Sequence, residues 1–388
     1  GQSAHHQSQN HGGQALKGFA VAGLGMGFDH MHCHEFKRRA RVPVLSWNPE
    51  NLVNSSKTTV LLAVMHREDT FMGATGYFTH PSCWKHEMGA GHPECPERLG
   101  AIEDRLLISG VDMALQRREA SPASLADIEL AHGRMHVAAL RGLGDALRED
   151  MAAGGPTHTS LDPDTLINAH TWDAALVAAG AALDATDAVL AGELENAFCA
   201  VRPPGHHACR DKAMGFCFFN NVAIAAKYAL ERHGLKRVAI VDFDVHHGNG
   251  TEDIVAGDER ILMVSFFQHP FYPEGGSTST AANLVNLPVP AYTRGMDIRE
   301  LVDMMWLPRL EAHKPELIFI SAGFDAHRED DMGQMGLVEQ DYAWITQRIK
   351  EVALRHAKGR IVSCLEGGYN LSALGRSVEA HLRVLADV

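Results

Sequence analysis

The sequence predicts an α/β protein: a single doubly wound, mainly parallel sheet with helices on both faces. Two observations carry this. Short runs that are apolar throughout, such as Val238-Ala239-Ile240-Val241 and Leu317-Ile318-Phe319-Ile320, alternate with longer stretches of helical period. Strands without polar alternation are buried on both sides, as they are in a parallel sheet between two helical layers. The 36 glycines among 388 residues suit many tight turns between strands and helices.

The elements follow in order. Gly76–His80 reads as a first strand, and Pro96–Leu107 as a helix with proline at its start. Ser124–Leu147 is helical with a break at Gly133, and Thr159–Asn168 is a turn-rich loop holding Asp162-Pro163-Asp164. Trp172–Ala191 is an alanine-rich helix ended by Gly192. Strands are then expected at 197–201, 237–243, 260–265, 316–321 and 360–365. Helices are expected at 220–232, 297–313, 339–357 and 371–386.

Residues 1–70 differ from this pattern. Gly1–Gly13 is polar and without period, so disorder is expected there. Phe19–Gly27 looks like a strand entering a nucleotide loop, but Phe28 stands where the third glycine belongs, so dinucleotide binding is set aside. His32-Cys33-His34 has no second ligand pair in register and reads as an incidental polar cluster. Lys37-Arg38-Arg39-Ala40-Arg41 reads as a solvated basic run. The chain starts without Met, and Met65 and Met72 precede the globular pattern. The expected organisation is therefore a disordered or dispensable extension over 1–70 and one functional domain over 71–388. A chain begun near Met72 should fold and melt like the full one; its failure to fold refutes the division.

Composition narrows the function classes. A hydrophobic fraction of 45% supports a large core, and a formal charge of −13 argues against phosphate-driven nucleic-acid binding. The seven cysteines are odd in number, scattered and without a Cys-x-x-Cys. That disfavours a disulfide framework or a cysteine zinc site and fits a reducing, cytoplasmic location. No apolar run reads as a membrane span and no secretory signal is recognisable. The sequence leaves homo-oligomerisation open.

The chemistry gathers where strands end. Asp242-Phe243-Asp244-Val245-His246-His247-Gly248-Asn249-Gly250 follows a buried strand, and ligands of open α/β sheets bind at the carboxyl ends. Asp244 and His246 are two apart, so in extended chain they face the same way. Arg202-Pro203-Pro204-Gly205-His206-His207 puts two imidazoles after another strand, where one can move a proton near neutral pH. Asp325, after the 316–321 strand, can complete an Asp/His/Asp set with an open position, the pattern of a catalytic metal site. Gly367 and Gly368 allow close approach of backbone to a ligand and present Tyr369 as a hydrogen-bond donor to a developing oxyanion. Gly215-Phe216 and Tyr272 offer walls for a narrow apolar channel, although aromatics after glycine are more often core. His132 and His136 are four apart but lack a zincin glutamate, so they read as surface or packing residues. His327 reads as a residue behind the site or on the surface.

These motifs, together with Gly91-His92-Pro93-Glu94-Cys95-Pro96-Glu97-Arg98, Gly215–Asn221 and Glu366-Gly367-Gly368-Tyr369, stand in an order and spacing that resemble the histone deacetylase superfamily over residues 74–388. That superfamily includes bacterial deacetylase-like amidohydrolases and acetylpolyamine amidohydrolases. Asn249, in place of a second aspartate, and Glu366 resemble its class II branch. The resemblance implies an arginase/deacetylase-like fold and one catalytic Zn²⁺ on Asp244, His246 and Asp325. It implies His207 as general base and then acid, leaning on Asn249, with His206 oriented by Asp242 as electrostatic help. Tyr369 would polarise the acetyl carbonyl, Phe216 and Tyr272 would flank the substrate stem, and Asp162 would match a substrate-backbone aspartate. A structural K⁺ on Asp242, Asp244, His246 and Ser265 is supported by position alone. His247 falls to a packing role.

The expected activity is zinc-dependent hydrolysis of an N-acetylated amine, with acetyl-lysine in proteins or peptides leading and an acetylated polyamine as the close alternative. Fe²⁺ or Co²⁺ also suits the donor set. A non-catalytic acetyl-amine binding module is a third reading, disfavoured by the intact His206, His207 and Tyr369. An arginase-like two-metal site needs an Asp-x-His-x-Asp run, which Gly248 after His247 breaks.

Overall fold

A computed structural model describes residues 74–388; the expectations for residues 1–70 lie outside the described residues. Eight parallel strands form the main sheet in the order β2-β1-β5-β10-β9-β6-β7-β8. They are β1 Thr75–Thr79, β2 Leu115–Glu119, β5 Asn196–Cys199, β6 Val238–Asp242, β7 Ile261–Gln268, β8 Leu284–Val289, β9 Ile318–Ala322 and β10 Ile361–Leu365. A two-stranded antiparallel pair, β3 His158–Ser160 and β4 Leu166–Asn168, stands apart from them. Every residue of β5, β6, β7, β9 and β10 is buried, which explains their mainly apolar composition.

Five elements escaped the sequence reading for physical reasons. β2 is an edge strand reading Leu-Gln-Arg-Arg-Glu, with Gln116 and Arg117 exposed, so it carries no apolar signal. β8 is the opposite edge and contains Pro288, tolerated there because an edge strand does not need every N–H. β3 and β4 have three residues each, and all but His158 lie within the loop expected at 159–168. A short helix, Asn249–Val255, starts inside the glycine-rich stretch that read as loop, so Asn249 sits on its first turn.

The helices lie close to expectation. The break at Gly133 separates Leu125–Ile128 from Arg134–Ala152. The helix expected over 297–313 begins at Gly295 and widens into a π turn at Val302–Trp306, ahead of Leu307–His313. Pro308 cannot give an N–H to the carbonyl four residues back, so the ladder shifts there. One expectation needs correction: Thr171–Ala191 is long and apolar enough to cross a membrane. It is instead mostly buried in the core, packed on β5 and the helix Asn221–Glu231; its alanines let these layers approach closely.

The core also holds a buried histidine. His381 pairs through Nδ1 with Thr346 Oγ1 at 2.7 Å and through Nε2 with Ser363 Oγ at 3.0 Å. Burial pushes its pKa down from 6.5 to about 3. The unfolded chain therefore binds a proton that the folded chain refuses, so this contribution is present above pH 6.5 and is lost as pH falls toward 3. Thermal melting should drop across that window, and His381→Gln should flatten the slope. An unchanged slope in the variant refutes the assignment.

Candidate active site

The four central strands, in the spatial order β5-β10-β9-β6, end on one edge and send four loops into one place. β5 supplies His206 and His207, β10 supplies Glu366 to Tyr369, β9 supplies Asp325, and β6 supplies Asp242, Asp244 and His246. Parallel pairing is what brings together residues up to 163 positions apart in the chain, from 206 to 369.

Asp244, His246 and Asp325 each place a ligand atom within 4.8 Å of the others, and all three are buried. His246 Nδ1 lies 3.0 Å from Asp244 Oδ1 and 3.2 Å from Asp325 Oδ2. Burial opposes charge on His246, but Asp244 and Asp325 outweigh it and raise its pKa to about 10. Burial and the neighbouring Asp244 raise Asp325 to about 7. The set fits a divalent cation. Asp325 Oδ2 is buried and accepts no hydrogen bond, a costly state that a cation relieves. The donors are one imidazole and two carboxylates, with no thiolate. Space is reserved as well: a Cβ on Gly367 would lie 2.0 Å from Asp325 Oδ2, and one on Gly323 would lie 1.9 Å from Asp244 Oδ2. Gly367 N–H donates to Asp244 Oδ2 at 2.9 Å.

The paired histidines have different environments. His206 Nδ1–H donates to Asp242 Oδ2 at 3.0 Å, and its Nε2 lies 3.7 Å from Asp244 Oδ2. Burial opposes its charge, yet Asp244 and Asp242 hold its pKa well above the ordinary histidine value. His207 Nδ1–H donates to Asn249 Oδ1 at 2.8 Å. The amide of Asn249 turns its Nδ2 toward Met214 Sδ and Cys209 Sγ, at 3.4 and 3.5 Å, which leaves Oδ1 for His207. Burial, with His206 and His246 beside it, pushes the pKa of His207 well down. A neutral ring with Nδ1–H presents a free Nε2 lone pair. Their surroundings push His206 and His207 in opposite directions, the arrangement that separates an electrostatic role from a proton-accepting one.

Above them opens a cavity of about 240 Å³. Phe216, Tyr272 and Gly215 line it as expected, and His207, His246 and Tyr369 reach its base. Phe216 and Tyr369 meet edge to face at 5.9 Å, and Tyr272 meets the His207 ring at 5.3 Å. Burial, reinforced by Asp325 and Asp244 against Arg98, raises the Tyr369 phenol well above its ordinary pKa, so it remains a donor. A larger hollow of about 460 Å³ lies at the amino ends of the strands, among Leu194, Glu195, Lys358 and Arg360. It holds no ligating cluster among the described residues.

Several placements differ from expectation. Asp162 does not line the cavity: its Oδ1 accepts from the N–H groups of Asp164 and Thr165 at 3.1 and 2.6 Å, closing its own turn. Asp164, two residues on, lines the cavity in its place. Gly367 supports the ligand carboxylates and is not part of the cavity wall. His327 is buried, at 1% exposure, so the surface alternative falls. His132 and His136 are buried packing residues bonded to the carbonyls of Cys209 and Phe218. His247 packs on Phe267 and pairs with Glu252 at 3.1 Å.

Other residues were missed. Phe271 stacks on His246 at 5.4 Å, and Asp331 and Met332 line the mouth. Glu366 accepts from the N–H groups of Gly205 and His206 at 2.6 and 3.1 Å, fixing the histidine loop. Buried Glu94 pairs with Arg202 and, at 3.1 Å, with Arg98. The charged letters of Gly91–Arg98 and the Glu366-Gly367-Gly368-Tyr369 motif were the available signals, without a role attached to Glu94 or Glu366.

Comparison with known proteins first places the fold. The crystal structure of the HDA15 HD domain superposes with a TM-score of 0.74 at 33% identity, covering 81% of this chain and 89% of that one. This is the deacetylase-type α/β architecture. The family model for the histone deacetylase domain matches residues 92–385, and the chain belongs to that family. It is 39% identical over 288 residues to a histone deacetylase-like amidohydrolase of Pseudomonas aeruginosa, spanning 72% of this chain and 73% of that protein. It is 38% identical over 299 residues to the polyamine deacetylase HDAC10 of Mus musculus, spanning 74% and 43% respectively. Membership in this deacetylase and amidohydrolase family supports hydrolase activity on acetylated substrates.

Proposed function

We propose that this chain is a zinc-dependent deacetylase that hydrolyses the amide of N-acetylated amines, with acetyl-lysine in proteins or peptides as the leading substrate class. The observation that carries the reading is the convergence of Asp244, His246 and Asp325 with His207 and Tyr369 at the base of one aromatic-walled cavity. A divalent ion held by the three ligands supplies Lewis acidity and a lowered pKa to water beside it.

The protein's own groups do the rest. His207, its Nδ1–H fixed on Asn249, takes a proton from the attacking water at Nε2 and returns it to the departing amine nitrogen. His206, kept cationic between Asp242 and Asp244, biases the site toward negative charge. Tyr369 donates its O–H to the amide oxygen as charge develops there. Phe216 and Tyr272 flank the methylene stem and exclude water. Fe²⁺ or Co²⁺ also fits one nitrogen and two carboxylates, and metal analysis of the purified protein identifies which is carried.

Three finer assignments belong to the same proposal. Class II character is supported by Asn249 on His207 and Glu366 under the histidine loop. A structural K⁺ behind Asp242 is supported by Ser265 standing opposite it in the β6–β7 register. A reducing, cytoplasmic setting agrees with the six described cysteines being free.

A second reading, acetylpolyamine hydrolysis, is favoured by Asp164 and Asp331 lining the cavity, where two carboxylates can attract a second ammonium. Comparing kcat/KM for acetyl-lysine peptides with that for acetylputrescine and acetylspermidine separates the two. Acetyl-lysine should lead by ~10-fold or more, a difference of about 1.4 kcal/mol. A reversed order assigns the polyamines, and binding without turnover on either class assigns a non-catalytic module.

A further inference from the structure

Tyr369 sits on a segment with little rigidity of its own. It follows Gly367-Gly368, and Gly368 has φ of 117°, a conformation that only glycine adopts freely. A hydroxyl that must meet a developing oxyanion needs that segment held, because ~1 Å of misplacement costs ~100-fold in rate. Two buried charged side chains hold it from opposite sides.

Arg98 takes the carbonyl side. Its Nε donates to Gly368 O at 2.7 Å and its Nη2 to Glu366 O at 2.5 Å. Its guanidinium also lies 4.9 Å from the centre of the Tyr369 ring. Asp330 takes the amide side. Its Oδ2 accepts from Tyr369 N–H at 2.6 Å and from Asn370 N–H at 2.8 Å. Asp330 is 4% exposed and pairs with no lysine, arginine or histidine among the described residues. Its charge is therefore balanced by backbone N–H groups, the arrangement that makes a carboxylate a strong positional anchor.

The second oxygen of Asp330 reaches the other way. Oδ1 accepts from Met332 N–H at 3.0 Å, and Met332 and its neighbour Asp331 line the cavity. The join is reinforced beside it, where Asn370 Nδ2 donates to Glu329 O at 2.9 Å. One carboxylate thus spans the tyrosine segment after β10 and the cavity-lining segment after β9.

We propose that Asp330 is a positioning residue for Tyr369, coupling the mouth of the cavity to the hydroxyl at its base. Contact of substrate with the Met332 segment and the placement of the Tyr369 hydroxyl are then set by the same carboxylate. The proposal rests on the reading of Tyr369 as the oxyanion donor, and it predicts that Asp330 acts through that residue.

A double-mutant cycle on the full, metal-loaded chain tests it, using Asp330→Ala and the milder Asp330→Asn, each alone and with Tyr369→Phe. Melting temperature and bound metal per chain identify folded, loaded protein. In the Tyr369 background either Asp330 variant should lower kcat by ~10- to 100-fold, with a smaller change in KM and unchanged metal content. In the Tyr369→Phe background the same substitution should cost less than ~2-fold, because the group it positions is already gone. Equal losses in both backgrounds, loss of metal, or failure of both variants to fold would show a general structural role and overturn the proposal. Full activity of Tyr369→Phe alone is a different failure, since it removes the tyrosine from the chemistry.

Discussion

Replacing Asp325 with alanine is expected to abolish metal binding and turnover together, and His246→Ala should do the same. Each supplies one of three converging ligand atoms, and two remaining donors hold a divalent ion poorly. Loss of partners outside a ligand set already costs ~10- to 100-fold in metal affinity or activity, so loss of a ligand should exceed that. The structural cost should be modest by comparison. Asp325 and Asp244 are carboxylates crowded in a buried space, and burial with Asp244 nearby raises Asp325. Removing one relieves repulsion in the metal-free chain while it removes affinity in the loaded one. Metal analysis and deacetylation should therefore fall together, with melting of the metal-free protein unchanged or raised. Retained turnover in Asp325→Ala with normal metal content takes Asp325 out of the site.

Tyr369→Phe is expected to keep the metal and lose ~100-fold or more in kcat, the scale of removing one oxyanion donor. The substitution deletes a single oxygen. It leaves the contact with Phe216 and the position under Arg98, both of which belong to the ring. It also leaves the backbone N–H bonded to Asp330. Metal content and melting should match the unmodified chain, so the loss reports the hydroxyl alone. KM should change less than kcat, because the bond strengthens only as negative charge develops on the amide oxygen. The effect should hold across acyl substrates, since every one of them passes through the same oxyanion.

The parts of this site that were legible in the sequence are those that buried strands deliver. β5, β6, β9 and β10 are buried along their whole length and mainly apolar because both of their faces are covered. A polar cluster just after such a run has a defined place, at the carboxyl edge. That logic located His206, His207, Asp244, His246, Asp325 and Tyr369. It failed where position depends on how a loop folds on itself. Asp162 and Asp164 are nearly equivalent as letters, and only the turn that Asp162 closes on the amides of Asp164 and Thr165 separates their roles. Asp330 and Asp331 are adjacent acids in a polar loop; one is buried against three backbone N–H groups and the other lines the cavity. The edge strands β2 and β8 were missed for a related reason, since an edge needs neither a continuous apolar run nor a full set of N–H donors.

The central claim is that one divalent ion on Asp244, His246 and Asp325 is required for amide hydrolysis. Its most direct measurement is deacetylation of an acetyl-lysine peptide by chelated protein, titrated with Zn²⁺ while bound metal is counted. Activity should be absent after chelation, rise linearly with added zinc and reach its plateau at one ion per chain. Undiminished turnover by protein verified to be free of metal, or a plateau reached only at two ions per chain, would contradict it.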